Sequence, residues 1–421
     1  MATTSLRREI EVVSPTRQRV MGIVFLALAA GIWLLFSRGT QGGLTTTFDL
    51  VPGGVESNVP DWRLPTLATL NTLAVFSAFA GGAQLVRGFG RRTNLVLALV
   101  SGFFIFGFLT WAAAGRSLNL AGLLNTSLSK AVPITLGALS GVLCERAGVV
   151  NIAIEGMMLA AAMVASLVGS ISGSLWVGLL AGVLTGALLG LVHAVLSIKY
   201  LTDQIISGTV INIFAGGITA FISAKFLQPN QFLNDPGIFK PFEIPLLSKI
   251  PVVGPILFDN NLFVYAMFLF LILLNVALFS TRWGLRMRSV GEHPKAADTL
   301  GINVFRTRYM AVLLGGMMAG FAGAYFTIGS VGRFDEFMTA GRGFIGLAAM
   351  IFGNWTPFGS FGAGLLFGFA DSLAGKVAIL GVQIPSEFLL MAPYIATMVV
   401  LAGVVGRGQM PAADGQPYVK E

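Results

Sequence analysis

The sequence predicts an all-α, polytopic helical membrane protein with about 12 transmembrane helices (range about 9–12). Apolar residues make up 55% of the 421 residues and charged residues only 11%, whereas a soluble domain has roughly 25% charged residues. The mean hydropathy is +0.80, and the 53 glycines suit close contacts between helices in lipid. These values exclude soluble, fibrous, disordered and disulfide-rich proteins.

Twelve apolar runs are long enough, or nearly long enough, to cross a bilayer, which takes about 20 apolar residues. They lie at 21–37, 65–86, 94–114, 120–143, 148–169, 174–198, 204–224, 261–281, 309–329, 343–356, 359–380 and 387–406. The run at 343–356 is too short for an easy crossing. We therefore expect it to be a half-helix or a re-entrant segment.

Basic residues indicate the orientation of the chain. The majority of the 27 Lys and Arg residues fall in loops that are inside the cell if the N-terminus is inside. This bias predicts that both termini are cytoplasmic. The long loops 38–64 and 225–260 are then outside, and 282–308 is the longest inside loop. The net charge of +8 reflects the same bias and gives no reason to expect nucleic-acid binding.

Several kinds of chemistry are absent from the sequence. The single cysteine, Cys144, and the two histidines cannot form a Cys/His metal cluster. The nearest approach to a nucleotide-binding GxxxxGK[ST] loop is ADSLAGKV at 370–377, which lacks the first glycine and the final hydroxyl. No catalytic triad or carboxylate pair is evident. We therefore expect no enzymatic activity, no metal and no cofactor bound by this chain.

Four polar residues in or beside the apolar runs are candidates for a translocation path: Asn151, Glu155, Asn212 and Asp371. Polar side chains at this depth face protein or water, because lipid leaves them unpaired. Asn151 and Glu155 have the i, i+4 spacing that would place them on one helical face. The alternative is that they are buried hydrogen-bonding groups that tie helices together.

Two further patterns concern helix ends and helix packing. Asp203 precedes the run at 204–224 and is predicted to cap that helix, with a gating role as the alternative. Glycines at four-residue spacing predict close contacts between helices. These are Gly182, Gly186 and Gly190, then Gly316 and Gly320, then Gly364 and Gly368.

The inside loop 282–308 is basic and polar but has helical composition. Ala296, Leu300 and Val304 recur at i, i+4 and i+8, which predicts a short amphipathic helix. We expect this helix to span 288–303. It would offer a compact docking surface for a partner on the cytoplasmic side. The alternative is a solvated loop.

This loop resembles the ATPase-coupling loop of ATP-binding cassette (ABC) importer permeases. Its segment GEHPKAADTLGIN carries the E…AA…G pattern of that family at Gly291, Glu292, Ala296, Ala297 and Gly301. Further blocks resemble the branched-chain amino acid, sugar and nucleoside permease superfamily, most of all its nucleoside permeases. They are ERAGVVNIAIEGMMLAAA, DQIISGTVIN, GFIGLAAMIFGNWTPFGSFGAGLLFGFADSL and APYIATMVVLAGVVG.

The resemblance implies a domain organisation. The matching blocks fall in a permease transmembrane domain at 120–410, which includes the coupling loop 282–308. The N-terminal extension 1–119 adds about three transmembrane helices, and 411–421 is a cytoplasmic tail.

The resemblance also implies a function and a set of partners. Such a permease forms the translocation path for a small polar solute, here nucleosides or simple sugars, in a bacterial cell membrane. A separate ABC ATPase subunit binds ATP and powers transport. A second permease, commonly a different chain, and an extracytoplasmic substrate-binding lipoprotein complete the transporter. The alternative function is an ion- or proton-coupled secondary transporter.

Overall fold

The computed structural model describes residues 15–53, 59–382, 385, 387–391, 394–395 and 409–420. Within these residues, ten helices are long and apolar enough to cross a membrane. They are α1 (Pro15–Gly31, extended to Ser37 by a π-helical turn), α2 (Thr66–Val86), α3 (Thr93–Ala112), α4 (Leu120–Glu145), α5 (Ile154–Ser172), α6 (Leu175–Ala194, extended to Lys199), α7 (Gln204–Ile222, extended to Leu227), α9 (Leu262–Ser280), α12 (Val304–Phe326, extended to Val331) and α14 (Pro357–Ile379). The predicted all-α membrane fold is confirmed.

The remaining elements are short. They are β1 (Thr45–Asp49), β2 (Trp62–Pro65), β3 (Ser117–Asn119), β4 (Phe242–Glu243), α8 (Val253–Leu257), β5 (Asp259–Asn260), α10 (Arg282–Glu292), α11 (Pro294–Thr299) and α13 (Arg342–Phe352). Helix α13 has 11 residues, or about 16 Å at 1.5 Å per residue, and is too short to cross the roughly 30 Å hydrocarbon core. This agrees with the short segment predicted at 343–356. The run predicted at 387–406 lies largely outside the described residues.

The chain divides into two compact units. The first comprises Met1–Ala121 together with Val377–Ile384, and the second Gly122–Lys376 together with Pro385–Glu421. In the first unit, β1 pairs antiparallel with β2 and parallel with β3. The buried Thr46 hydroxyl contacts the Thr66 hydroxyl at 2.9 Å and donates to the Thr110 carbonyl at 2.8 Å, which joins the sheet to α2 and α3.

The second unit is built around α4, α5, α6 and α12. Its core combines apolar residues of α4, α5 and α12, and α4 is buried along most of its length. Helices α6 and α12 cross at their glycines, where a Cβ atom on Gly186 would meet the Gly316 carbonyl and one on Gly320 the Gly182 carbonyl. Helix α14 approaches α4 in the same way at Gly364 and Gly368. The helix packing predicted from the glycine spacing is confirmed.

Candidate coupling and translocation sites

The inside loop contains two helices, and the prediction of one helix over 288–303 was wrong. Helix α10 ends at Glu292, His293 is extended (φ −152°, ψ 85°), and α11 begins at Pro294. Proline lacks the N–H that would continue α10 and disfavours helical geometry in the preceding residue. The His293 ring nitrogen Nδ1 instead accepts the Ala296 N–H at 3.1 Å and caps α11.

The five residues of the coupling pattern differ in exposure. Gly291 and Ala297 are buried, whereas Glu292, Ala296 and Gly301 are exposed. A Cβ atom on Gly291 would meet the Arg146 carbonyl, so only glycine fits there. Gly301 has a positive φ of 81°, and no atom lies near the position of a Cβ atom. Glycine is therefore favoured there by its backbone conformation and not by lack of space. The neighbouring Leu300 is 81% exposed and adds an apolar side chain to the surface of the loop.

Glu155 lies in the first turn of α5, and its carboxylate holds the start of α13. Its Oε1 accepts the Thr339 hydroxyl at 2.6 Å and the Gly341 N–H at 2.9 Å, and its Oε2 accepts the Gly343 N–H at 2.6 Å. The carboxylate thus meets the positive end of the α13 dipole. Gly343 has no room for a Cβ atom beside the Glu155 backbone, which permits this approach.

Asn151 and Asn212 organise the start of α5. Asn212 Oδ1 accepts the Gly156 N–H at 2.7 Å, and its amide donates to the Ile152 carbonyl at 2.9 Å. Asn151 is fully buried and accepts the Ala153 N–H at 3.1 Å. The shared helical face predicted for Asn151 and Glu155 was wrong, because α5 begins at Ile154 and Asn151 lies in the preceding turn.

Asp371 lies on α14 in a cluster of three charges. Its Oδ1 is 3.1 Å from Lys130 Nζ on α4, and its Oδ2 is 3.1 Å from a terminal guanidinium nitrogen (Nη2) of Arg342 on α13. A cavity of about 290 Å³ opens beside this cluster. Its walls include Ile134, Ala340, Arg342, Ile345, Phe367, Ala370, Asp371, Leu390 and Tyr394.

Arg342 links the two carboxylates. Its neighbours Gly341 and Gly343 donate their N–H groups to Glu155, while its side chain pairs with Asp371. Sequence reasoning missed Lys130 and Arg342, because both were assigned to outside loops or their flanks. The signal that could have found Lys130 is a single basic residue inside the apolar run 120–143.

Asp203 lies at the start of α7, where Oδ1 accepts the N–H groups of Ile205 at 2.9 Å and Ile206 at 3.0 Å. This is the geometry of a helix cap. A gating role for Asp203 stays a prediction.

A larger open cavity, of about 850 Å³, lies at the C-terminal ends of α7 and α12. Polar residues line it, among them Gln228, Asp235, Arg333, Asp335 and Glu336. Asn234 fixes its wall, since its amide donates to the Phe334 carbonyl at 2.8 Å and its oxygen accepts the Phe334 N–H at 2.7 Å. The charge bias of the loops predicts that this cavity is extracytoplasmic.

Comparisons with known proteins agree with this architecture. Residues 123–405 match the family described as branched-chain amino acid transport system / permease component. The guanosine ABC transporter permease protein NupQ of Bacillus subtilis is 41% identical over 303 residues, 70% of this chain and 95% of NupQ. The nucleoside ABC transporter permease protein NupC of Lactococcus lactis is 42% identical over 298 residues, 68% of this chain and 93% of NupC.

A third relative is named for a different solute. The putative glucose ABC transporter permease protein TsgC13 of Haloferax volcanii is 32% identical over 324 residues, 72% of this chain and 98% of TsgC13. No solved structure matches this chain.

These matches identify a membrane transport component and not an enzyme, and they give no support to a secondary transporter. The chain belongs to the branched-chain amino acid transport system permease component family and is a multi-pass membrane permease subunit of an ABC transporter.

Proposed function

We propose that this permease carries nucleosides into the cell. The observation that carries the proposal is the 41–42% identity to relatives named for guanosine and nucleosides, which covers more than nine-tenths of their length. A nucleoside is neutral and polar, with several hydroxyl, carbonyl and amine groups. Weak hydrogen bonds at several points along the path suit such a solute, because a permease must release what it admits.

The cavity beside Asp371 offers groups of this kind. Arg342 supplies N–H donors and Asp371 supplies acceptor oxygens to the cavity, while Lys130 pairs with Asp371; all three side chains are half-buried. Apolar side chains such as Ile345 and Phe367 form the other walls and would contact a base or a sugar face. A mostly apolar pocket with a few placed polar groups is typical of sites for small organic molecules.

The test is uptake in a host that lacks its own nucleoside importers. The permease is co-expressed with the ATPase, second permease and binding lipoprotein from the same source, and uptake of labelled guanosine, uridine, ribose and glucose is measured. We expect nucleoside uptake that unlabelled glucose does not inhibit. Glucose or ribose uptake without nucleoside uptake would contradict the proposal and favour the solute class in the name of the Haloferax relative.

We further propose that the surface formed by Ala296, Leu300 and Gly301 docks on a separate ABC ATPase subunit, which binds the ATP. Its support is the exposure of Ala296 on the short helix α11 and of Leu300, the residue that follows α11. A second permease, which we expect to be a different chain, and a substrate-binding lipoprotein complete the transporter. Exposed apolar residues of α7, such as Ile213 and Phe214, suit contact with lipid or with that second permease.

The docking proposal is tested at Gly301. Its φ of +81° disfavours β-branched residues, whereas asparagine tolerates this conformation. Gly301→Val should therefore lower both transport and stimulated ATP hydrolysis while membrane insertion stays normal, and Gly301→Asn is the matched control. Normal transport in Gly301→Val would contradict the assignment.

Four residues stay proposed members of the translocation path: Asn151, Glu155, Asn212 and Asp371. Asp371 is best supported, because it borders a cavity, while the other three carry hydrogen bonds within the protein. Cysteines introduced at 151, 155, 212 and 371 in a Cys144→Ser background test this. Reaction with water-soluble thiol reagents in some nucleotide state would support the path, and unreactive positions are structural.

We propose that both termini are cytoplasmic and that the protein resides in a bacterial cell membrane. Residues 409–420 contact the coupling loop, which supports placing the C-terminus on the ATPase side. Reporter fusions at each end test the orientation, and an extracytoplasmic signal from either would contradict it.

A further inference from the structure

The C-terminal segment Gln409–Lys420 follows the surface of the coupling loop without forming a helix or strand of its own. The Ala413 N–H donates to the Gly291 carbonyl at 2.9 Å, and the Ala412 N–H donates to a Glu292 carboxylate oxygen at 3.2 Å. Lys420 Nζ lies 3.5 Å from Asp298 Oδ1 on α11. The segment therefore touches the end of α10 and also α11.

An aromatic side chain anchors this segment. Tyr418 is 6% exposed and joins Val290, Ala297 and Val304 in one buried apolar cluster. Its ring lies 5.4 Å from that of Phe305, measured between centroids. The cluster contains one residue or more from each of α10, α11 and α12, so Tyr418 packs where the two helices of the loop meet the start of α12.

A buried arginine fixes the middle of the segment. Arg308 on α12 is 2% exposed and donates to the Gln416 carbonyl at 2.9 Å. The turn that precedes α5 closes the other side, because a Cβ atom on Gly148 would lie 3.1 Å from the Ala413 carbonyl and 2.9 Å from the Arg308 guanidinium. The segment thus contacts the loop, α12 and the 146–150 turn.

These contacts divide the coupling pattern into two sets. Gly291, Ala297 and the exposed Glu292 contact the C-terminal segment, whereas Ala296 and Gly301 stay exposed together with the neighbouring Leu300. A helix of six residues such as α11 is not stable by itself in water. Its orientation must therefore come from what packs against it, and Tyr418 and Lys420 supply part of that packing.

We propose that residues 409–420 are a positioning segment that holds α10 and α11 in the orientation needed to dock the ATPase. This inference rests on the proposed function of the coupling loop. The segment acts through the loop and makes no contact with the solute.

The first experiment tests where the segment lies during transport. Cysteines replace Asp298 and Lys420 in a Cys144→Ser background, in the full transporter, and a short cleavable bifunctional thiol reagent joins them. We expect efficient cross-linking and unchanged uptake in the cross-linked protein. Failure to cross-link overturns the proposal. So does uptake that is lost on cross-linking and restored on cleavage, because the segment would then have to leave the loop and would be inhibitory.

The second experiment removes the anchor. Tyr418→Ala should lower stimulated ATP hydrolysis and uptake roughly tenfold, because a buried aromatic ring is lost where three helices meet. Val419→Ala is the matched control, since Val419 is 61% exposed in the same segment. A chain truncated after residue 408 should resemble Tyr418→Ala while its amount in the membrane stays normal. Unchanged hydrolysis in both altered chains overturns the proposal.

Comparison with Gly301→Val separates the two assignments. If Gly301→Val is impaired and both Tyr418→Ala and the truncated chain are normal, only the positioning role is wrong. If Gly301→Val is normal, the docking assignment is wrong and the positioning role falls with it.

Discussion

Glu155 and Asp371 are both carboxylates within the apolar part of the chain, but their partners differ in kind. Glu155 accepts hydrogen bonds from two backbone N–H groups and one hydroxyl, and its contacts fix the start of α13. Asp371 pairs with two cationic side chains beside a cavity. Substitution cannot remove backbone N–H donors, and such donors leave the carboxylate little freedom to move. Cationic side chains can change conformation and could bind a solute instead.

This difference favours a structural role for Glu155 and a role in the path for Asp371. Hydropathy alone makes the two residues equivalent, because both are isolated charges in apolar surroundings. The partners decide between the roles, and a partner that lies 184 to 188 residues away along the chain is not visible in a local pattern. Asp203 resembles Glu155 because backbone N–H groups hold it. Asp414 differs from both, because the side chains of Glu145 and Arg308 act on it together with the Gly415 N–H.

The largest effect is expected at Glu155. Glu155→Leu removes the acceptor for three donors, and hydrogen bonds to charged groups are worth about 1.5–3 kcal/mol each. We expect loss of the folded protein, measured as yield and thermal stability after detergent extraction. Glu155→Gln keeps one oxygen and should retain substantial stability and transport. A stable Glu155→Leu protein would show that α13 does not depend on this carboxylate.

A smaller effect is expected at Asp371, because its side chain is 28% exposed and water can reach the cluster. Asp371→Asn leaves Lys130 and Arg342 without a counter-charge, and we expect lower uptake at normal yield, with a stability loss of about 1–3 kcal/mol. The double variant Lys130→Gln with Asp371→Asn lowers the surplus of positive charge and should recover stability.

That double variant sharpens the comparison. A charge partner can be removed together with its mate, but no second substitution removes the backbone N–H groups that face Glu155. Failure of Lys130→Gln to recover any stability would contradict the description of Asp371 as one member of a charge cluster.

The fold was largely predictable from the sequence, because the length of an apolar run directly limits what can cross a bilayer. Helix packing was predictable at Gly186 and Gly316 for a similar reason, since only small residues allow that approach. The break in the coupling loop was missed because the predicted helix 288–303 runs across Pro294, which fits the first turn of a helix but not its interior. The partners of Asp371 and the course of residues 409–420 depend on tertiary contacts and leave no local pattern.

Substitutions at Asp203 test a second carboxylate that is held by backbone N–H groups, with a smaller expected loss of stability than at Glu155. Asp203→Ala should destabilise α7 by about 1 kcal/mol through loss of the cap, whereas Asp203→Asn should be mild, because asparagine also caps well. Thermal stability and uptake of the two variants provide the measurement. Complete loss of uptake in Asp203→Asn at normal expression would favour the gating role.

An effect as small as that at Asp203 is expected at Asp414, whose carboxyl group lies in the C-terminal segment. Burial is the main cause that raises its pKa to about 6, while a hydrogen bond with Glu145 and the positive charge of Arg308 oppose the increase. For Asp414 the effect of burial exceeds that of its partners, which include the Gly415 N–H and Arg308, so pH should change this contact.

The sign of the pH effect follows from the raised pKa. The buried carboxyl group binds a proton more readily than an exposed one, so protonation favours the bound segment and this contribution is lost as pH rises through about 6. Between pH 7 and pH 5 the bound state should gain about 1 kcal/mol. A spin label on a Val419→Cys chain in the Cys144→Ser background reports it as a larger immobilised fraction at pH 5, and Asp414→Asn should remove the pH dependence. An immobilised fraction that grows with rising pH, or a pH dependence that persists in Asp414→Asn, would show that another group controls the segment.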